Sequence, residues 1–132
     1  MRLFCLSPAD VELAWGDFTH LFDKFHKLGL IPDVIKKAAQ DSKQQVWGIQ
    51  DETGVHGLWV TEIIQTSQGL VCLIVAACAQ GIRKPLMERM VDEIGAWSKG
   101  LGCIAVRYYG RKGWLRWDRR FRQTGVVGEW SL

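Results

Sequence analysis

A chain of 132 residues that is 48% hydrophobic and 23% charged has the size of one domain and enough apolar mass to fill a core, which excludes a disordered or low-complexity protein. Met1 to Leu6 is too short for a signal peptide, and no run approaches the roughly 18 uncharged apolar residues of a membrane helix, so one soluble, unexported domain over residues 1–132 is expected. The net charge of +3 conceals an asymmetry: Arg107, Arg111, Lys112, Arg116, Arg119, Arg120 and Arg122 face only Asp118, which leaves the rest of the chain net acidic and marks this segment as the anion-attracting surface.

In chain order, Arg2 to Leu6 reads as a short strand. Ser7-Pro8 then opens a helix, since serine caps and proline suits a first turn. Val11, Ala14, Phe18, Leu21, Phe22, Phe25 and Leu28 recur at helical spacing, so the pattern predicts one helix to Leu28, stopped by Gly29. A shorter helix follows from Pro32 to Ala39. Three strands come next: Gln44 to Gln50, Val55 to Thr66 and Leu70 to Ala79, separated by turns at Asp51–Gly54 and Ser67–Gly69. The third is apolar at every position, which predicts a central strand covered on both faces.

Gln80 to Lys84 reads as a polar loop. Pro85 opens a helix with Leu86, Met90, Ile94 and Trp97 on one face and Gly100 and Gly102 at its end. Cys103 to Tyr109 is a further strand, Lys112 to Arg120 a short basic helix and Val126 to Trp130 a last strand. Consecutive strands joined by tight turns pair antiparallel. The step from Leu70 through a helix to Tyr109 makes a right-handed parallel crossover. The expected fold class is therefore α+β, a mixed, mostly antiparallel sheet flanked by helices on both faces.

Chemistry-bearing residues are few. Cys5, Cys72, Cys78 and Cys103 lie in apolar segments without a CxxC pair and read as buried free thiols in a reducing compartment. His20, His26 and His56 lack the spacing of a metal pair, so no metal is expected. Glu62 alternates with Leu58, Val60 and Ile64, where partial burial would suit a general base. The plainer reading is an arginine partner at a strand end. Trp114, Trp117 and Phe121 have the spacing of one buried helix face, with the arginines in solvent. The alternative is a nucleic-acid surface in which Tyr108, Tyr109 and the tryptophans stack on bases. Trp130 suits a subunit contact, so a homo-oligomer is a candidate state.

Four stretches carry a family resemblance. They are Gln45-Val46-Trp47 followed by Gly57-Leu58-Trp59-Val60-Thr61-Glu62-Ile63; Glu93 to Val106; Gly110-Arg111-Lys112-Gly113-Trp114; and Phe121-Arg122-Gln123-Thr124-Gly125-Val126-Val127. From about Gln44 onward the chain resembles small phage and prophage proteins of the Gcn5-related N-acetyltransferase (GNAT) type. The resemblance implies an acyl-CoA-dependent N-acetyltransferase with acetyl-CoA as cofactor and an amine as acceptor, in the host cytoplasm or packaged in a virion. It also admits an inactive relative that binds phage structural proteins or nucleic acid. By this resemblance acetyl-CoA lies in a gap between Leu70–Ala79 and Cys103–Tyr109, with its pyrophosphate at Gln80, Gly81, Ile82, Arg83 and Lys84. Arg111, Lys112, Arg119 and Arg122 remain as further anion-binding residues.

The sequence departs from the family pattern twice. The loop keeps one glycine, Gly81, and Pro85 removes a donor N–H. If Phe121 aligns with the Phe of the family's Gly-Phe pair, Arg116 stands where its general-acid tyrosine stands and Arg120 where its glycine stands. Tyr108 and Tyr109, on the preceding strand, are the candidate substitutes, and Glu62 is the candidate base.

Overall fold

The computed structural model describes residues 1–23, 30–109, 120–125 and 129–131. Five strands form one sheet in the order β1-β2-β3-β4-β5: Arg2–Cys5, Gln45–Asp51, Gly54–Thr66, Gly69–Ala79 and Ala105–Tyr108. The first four pair antiparallel, and β5 runs parallel to β4. The helices are α1 (Val11–Ala14), α2 (Pro32–Gln40) and α3 (Lys84–Gly100). The expected mixed sheet with its parallel crossover is present, and β4 lies between two partners.

Each face of the sheet buries its own core. On one, Val46, Val55, Leu58, Val60, Ala76 and Cys78 meet Val11, Trp15, Phe18, Leu21, Phe22, Ile35 and Ala39 of the N-terminal helical layer. On the other, Trp47, Ile49, Trp59, Cys72 and Ile74 meet Met90 and Ile94 of α3. The α3 face also buries a polar chain. Trp47 Nε1 donates to Thr61 Oγ1 at 3.0 Å, and Thr61 donates to Gln45 Oε1 at 2.8 Å. Thr61 is fully buried, so this chain satisfies groups that would otherwise be stranded away from water.

The first helix is not continuous. Pro8–Asp10 and Trp15–Leu21 are 3-10 turns on either side of the four-residue α1. Trp15, Phe18 and Leu21 are spaced by three, which is the period at which 3-10 side chains stack, and all three are buried. The tighter winding brings Trp15, absent from the seven-residue stripe, into the core against Phe22, with ring centroids 4.9 Å apart. The proposed continuation through Phe25, Leu28 and Gly29 lies outside the described residues.

Other boundaries shift modestly. β5 begins at Ala105 rather than Cys103, because Cys103 N–H is held back on the Ser98 carbonyl at the end of α3. Cys5 is exposed rather than buried, since it lies in the short edge strand, while Cys72 and Cys78 are buried. Cys72 is held above the ordinary thiol range chiefly by that burial. The proposed basic helix at Lys112 to Arg120 lies outside the described residues except for Arg120, which is a turn. Of the proposed last strand, Val126 to Gly128 lie outside them. Glu129 and Trp130 are not in a strand, and Trp130 is 86% exposed.

Candidate functional site

The site is built where β4 outruns β5. The parallel ladder begins at Val71↔Ala105 and ends at Ile74↔Tyr108, whereas β4 continues to Ala79. A bulge falls at the same level. Val60 opposes Ala76 and Thr61 opposes Ile74, so Val75 is the extra residue on β4. Below it, Cys72 and Ile74 face α3. Above it, Ala76 and Cys78 face the N-terminal layer, and Val75 packs on that layer too. A bulge places an additional residue on one face, bends the strand and increases its twist. Here those effects coincide with the level at which the β4–β5 ladder ends among the described residues.

The loop between β4 and α3 is fixed by its neighbours. Gln80 N–H donates to the His56 carbonyl at 2.8 Å. Gly81 has φ +65, which glycine adopts without the penalty a side chain carries there. Ile82 turns inward to the core shared with α3. Gly57 makes room for it, because a β-carbon there would lie 2.6 Å from Ile82 Cδ1. Arg83 is the extended residue before α3, and its carbonyl accepts from Leu86 and Met87 N–H. Its side chain and that of Lys84 are exposed, and no acid lies in the first turn of α3. An uncapped helix start with two cations beside it suits a phosphate group. Gln80, Gly81, Arg83 and Lys84 are thus exposed in the loop, whereas the Ile82 side chain anchors it. Lys84 also reaches Glu88, at 3.8 Å.

His56, beside this loop, lies in β3 next to the expected Asp51–Gly54 turn, whose Asp51 its ring reaches. Asp51 Oδ1 accepts from Thr53 N–H at 2.8 Å and from the Thr53 hydroxyl at 2.6 Å, and His56 Nε2 lies 2.8 Å away. These bonds, led by the Thr53 hydroxyl, hold the Asp51 carboxyl well below the usual carboxylate range. The signal was present as an Asp followed two residues later by Thr and then Gly, an Asx-turn pattern.

The candidate catalytic residues lie on different faces. Tyr108 faces α3 and meets Phe121 edge-on, with centroids 4.9 Å apart. Tyr109 follows the ladder's end and is 65% exposed. Thr61 and Ile63 face α3, so strand alternation turns Glu62 to the opposite face. There it opposes Leu73, which in turn opposes Arg107 on β5. Glu62 and Arg107 therefore flank Leu73 across about 10 Å of sheet, two strand spacings. The arrangement keeps Glu62 and Tyr108 from sharing one pocket.

Of the proposed anion-binding residues, Arg122 is exposed, while Arg111, Lys112 and Arg119 lie outside the described residues. Arg120 pairs with Asp92 on α3. A separate open concavity of about 560 Å³ lies at the far end of the sheet, between the starts of β2 and β4 and the end of α3, away from the loop. Among the described residues no group of His, Cys, Asp and Glu converges as a metal site, and no helix is long and apolar enough to cross a membrane.

No protein-family model matches the sequence, and no curated protein matches it. Solved structures do match in fold. The aminoglycoside acetyltransferase meta-AAC0020 from an uncultured soil metagenomic sample, in complex with trehalose, superposes with a TM-score of 0.78 at 12% identity, covering 99% of this chain and 95% of that one. A GCN5-related N-acetyltransferase from Ralstonia eutropha JMP134 gives 0.74 at 11% identity, covering 99% and 97%. The aminoglycoside N-acetyltransferase AAC(6')-Iy, in complex with CoA, gives 0.72 at 10% identity, covering 99% and 98%. With the mixed sheet and its parallel β4–α3–β5 crossover, these likenesses establish that the chain has the GCN5-related N-acetyltransferase fold.

Proposed function

We propose that the protein is an acyl-CoA-dependent N-acetyltransferase acting on an amine. The observation that carries this reading is the uncapped start of α3, bearing Arg83 and Lys84, which follows β4 in a sheet whose β4–β5 ladder ends at Ile74↔Tyr108 among the described residues. Acetyl-CoA, when bound, supplies the activated thioester carbonyl. Gly81 to Lys84 bind its pyrophosphate through backbone N–H groups and two cations, and the edge of β4 above Ile74 orients its amide-bearing arm. The acceptor amine loses a proton to a base, for which Glu62 is the candidate through an intervening water. Nitrogen attacks the carbonyl, the C–N bond forms, the C–S bond breaks and the sulfur leaves with a proton. Tyr109 is the better-exposed candidate to donate that proton, because Tyr108 is committed to Phe121.

The sequence resemblance supports a phage or prophage setting and leaves the acceptor open. A second reading is a non-catalytic interaction protein that binds a virion component or nucleic acid. The burial of Tyr108 and the proline in the first turn of α3 favour it. Calorimetric titration with acetyl-CoA separates the two. The acetyltransferase reading expects saturable binding, and Arg83→Glu with Lys84→Glu weakens it at least tenfold while the melt stays cooperative. An absence of binding by the folded wild-type protein leaves the interaction reading.

A further inference from the structure

β3 outruns β2 at the end of the sheet opposite the cofactor loop. Their ladder stops at Gln45↔Thr61, yet β3 stays paired with β4 as far as Thr66↔Gly69. Beyond Thr61, β3 therefore has a strand on one side only, among the described residues. The chain leading into β2 does not turn its donors to this edge. Asp41, Ser42, Lys43 and Gln44 give their N–H groups back to the carbonyls of Lys37, Ala39 and Ala38 at the end of α2. The Thr66 carbonyl takes the Gln65 side chain, so the open stretch is Glu62 to Gln65.

An open strand edge is a row of backbone donors and acceptors, and sheets normally blunt it with charge, proline or a covering element. Here it borders the concavity of about 560 Å³, whose walls include Ile63, Leu70, Trp97 and Leu101. That volume falls within the range of ligand sites. Leu101 is 50% exposed, an apolar side chain left at the rim. The rim carries one cation, Lys43, and one acid, Glu62. A patch balanced in this way does not select a polyanion, which separates it from the arginine-rich segment.

We propose that the Glu62–Gln65 edge of β3 is a docking site for an extended peptide segment, which adds as a strand and inserts one large apolar side chain into the concavity. Backbone bonds to the edge supply binding, and the apolar pocket selects the residue that enters it. The site lies at the other end of the sheet from the cofactor loop and shares only Glu62 with the machinery proposed for acetyl transfer.

The test uses the intact protein and two capped pentapeptides, acetyl-Thr-Val-Phe-Val-Thr-amide and the same peptide N-methylated at its two valines. N-methylation removes backbone donors and keeps every side chain. The proposal expects saturable binding of the first, at least tenfold weaker binding of the second, and slowed hydrogen exchange within residues 62–65 on binding. Leu101→Asp, at an exposed position just beyond α3, should reduce binding at least tenfold without changing acetyl-CoA binding. Equal affinity for the two peptides, or no binding of either, overturns the proposal. So does a sedimentation result in which the protein is a dimer, the edge amides are already protected and Leu101→Asp yields monomers. That outcome assigns the edge to a second copy of the chain.

Discussion

Asp51 carries a pH dependence that can be read from its bonds. Three contacts favour its ionised form, so its folded pKa lies below its unfolded value of about 4. A group depressed on folding contributes stability that is present above the unfolded pKa and is lost as pH falls toward the folded one. Asp51→Asn should therefore melt below wild type at pH 7, and the gap should close as pH falls below about 4. Parallel melts from pH 7 to pH 3 check this, and a gap independent of pH would show that the ionised form contributes nothing. Thr61 gives a second prediction at this scale. Thr61→Val keeps the shape but leaves Trp47 Nε1–H without its acceptor inside the core, at a cost of about 1–3 kcal/mol. Urea unfolding measures it. The Asp51 turn has a sequence signal in the Asp-x-Thr-Gly pattern, whereas the Thr61 role has none. Thr61 reads as an ordinary β-branched strand residue until its strand is set against Trp47.

At the scale of elements, the strands and α3 were legible because their apolar periods are strong and proline, glycine and turn residues mark their ends. The failures have physical causes. Helical spacing of four and 3-10 spacing of three are both satisfied over Val11 to Leu21, and packing against the sheet selects the tighter winding. The bulge at Val75 was hidden because Leu70 to Ala79 is apolar at every position, so a change of face leaves no mark in the pattern. The anchoring of the loop before α3 is also a pair effect, between Gly57 on β3 and Ile82. Gly57→Ala forces its new methyl against Ile82 and Trp59, and overpacking of this kind costs about 1–3 kcal/mol. Ile82→Ala removes apolar packing from the same place. The double variant should be less destabilised than the sum of the two singles, because truncating Ile82 clears part of the space the new methyl needs. Strict additivity in denaturant melts would mean that Ile82 does not hold the loop through Gly57.

Over the whole molecule, the charge asymmetry is the feature the sequence shows most directly and the fold modifies least. Seven cations between Arg107 and Arg122 meet one acid within their own segment. The fold adds one partner that no sequence pattern indicates: Asp92 of α3, which pairs with Arg120. It also sets Arg107 on the sheet, across Leu73 from Glu62. Among the described residues of the segment, Arg122 remains exposed. The protein should therefore bind a polyanion weakly, with an affinity that falls steeply with salt, because each phosphate or sulfate contact releases condensed counterions. Replacing Arg111, Arg119 and Arg122 together with glutamine should lower the salt needed to elute the protein from heparin and leave the melt unchanged. Arg83→Glu with Lys84→Glu should act on acetyl-CoA binding instead, because those cations stand at the other anion site, before α3. If the triple variant elutes with wild type, the arginines are held in internal ion pairs, and the nucleic-acid form of the interaction reading loses its basis. If it elutes early and also loses acetyl-CoA, the two anion surfaces are one, and the basic segment belongs to the cofactor site.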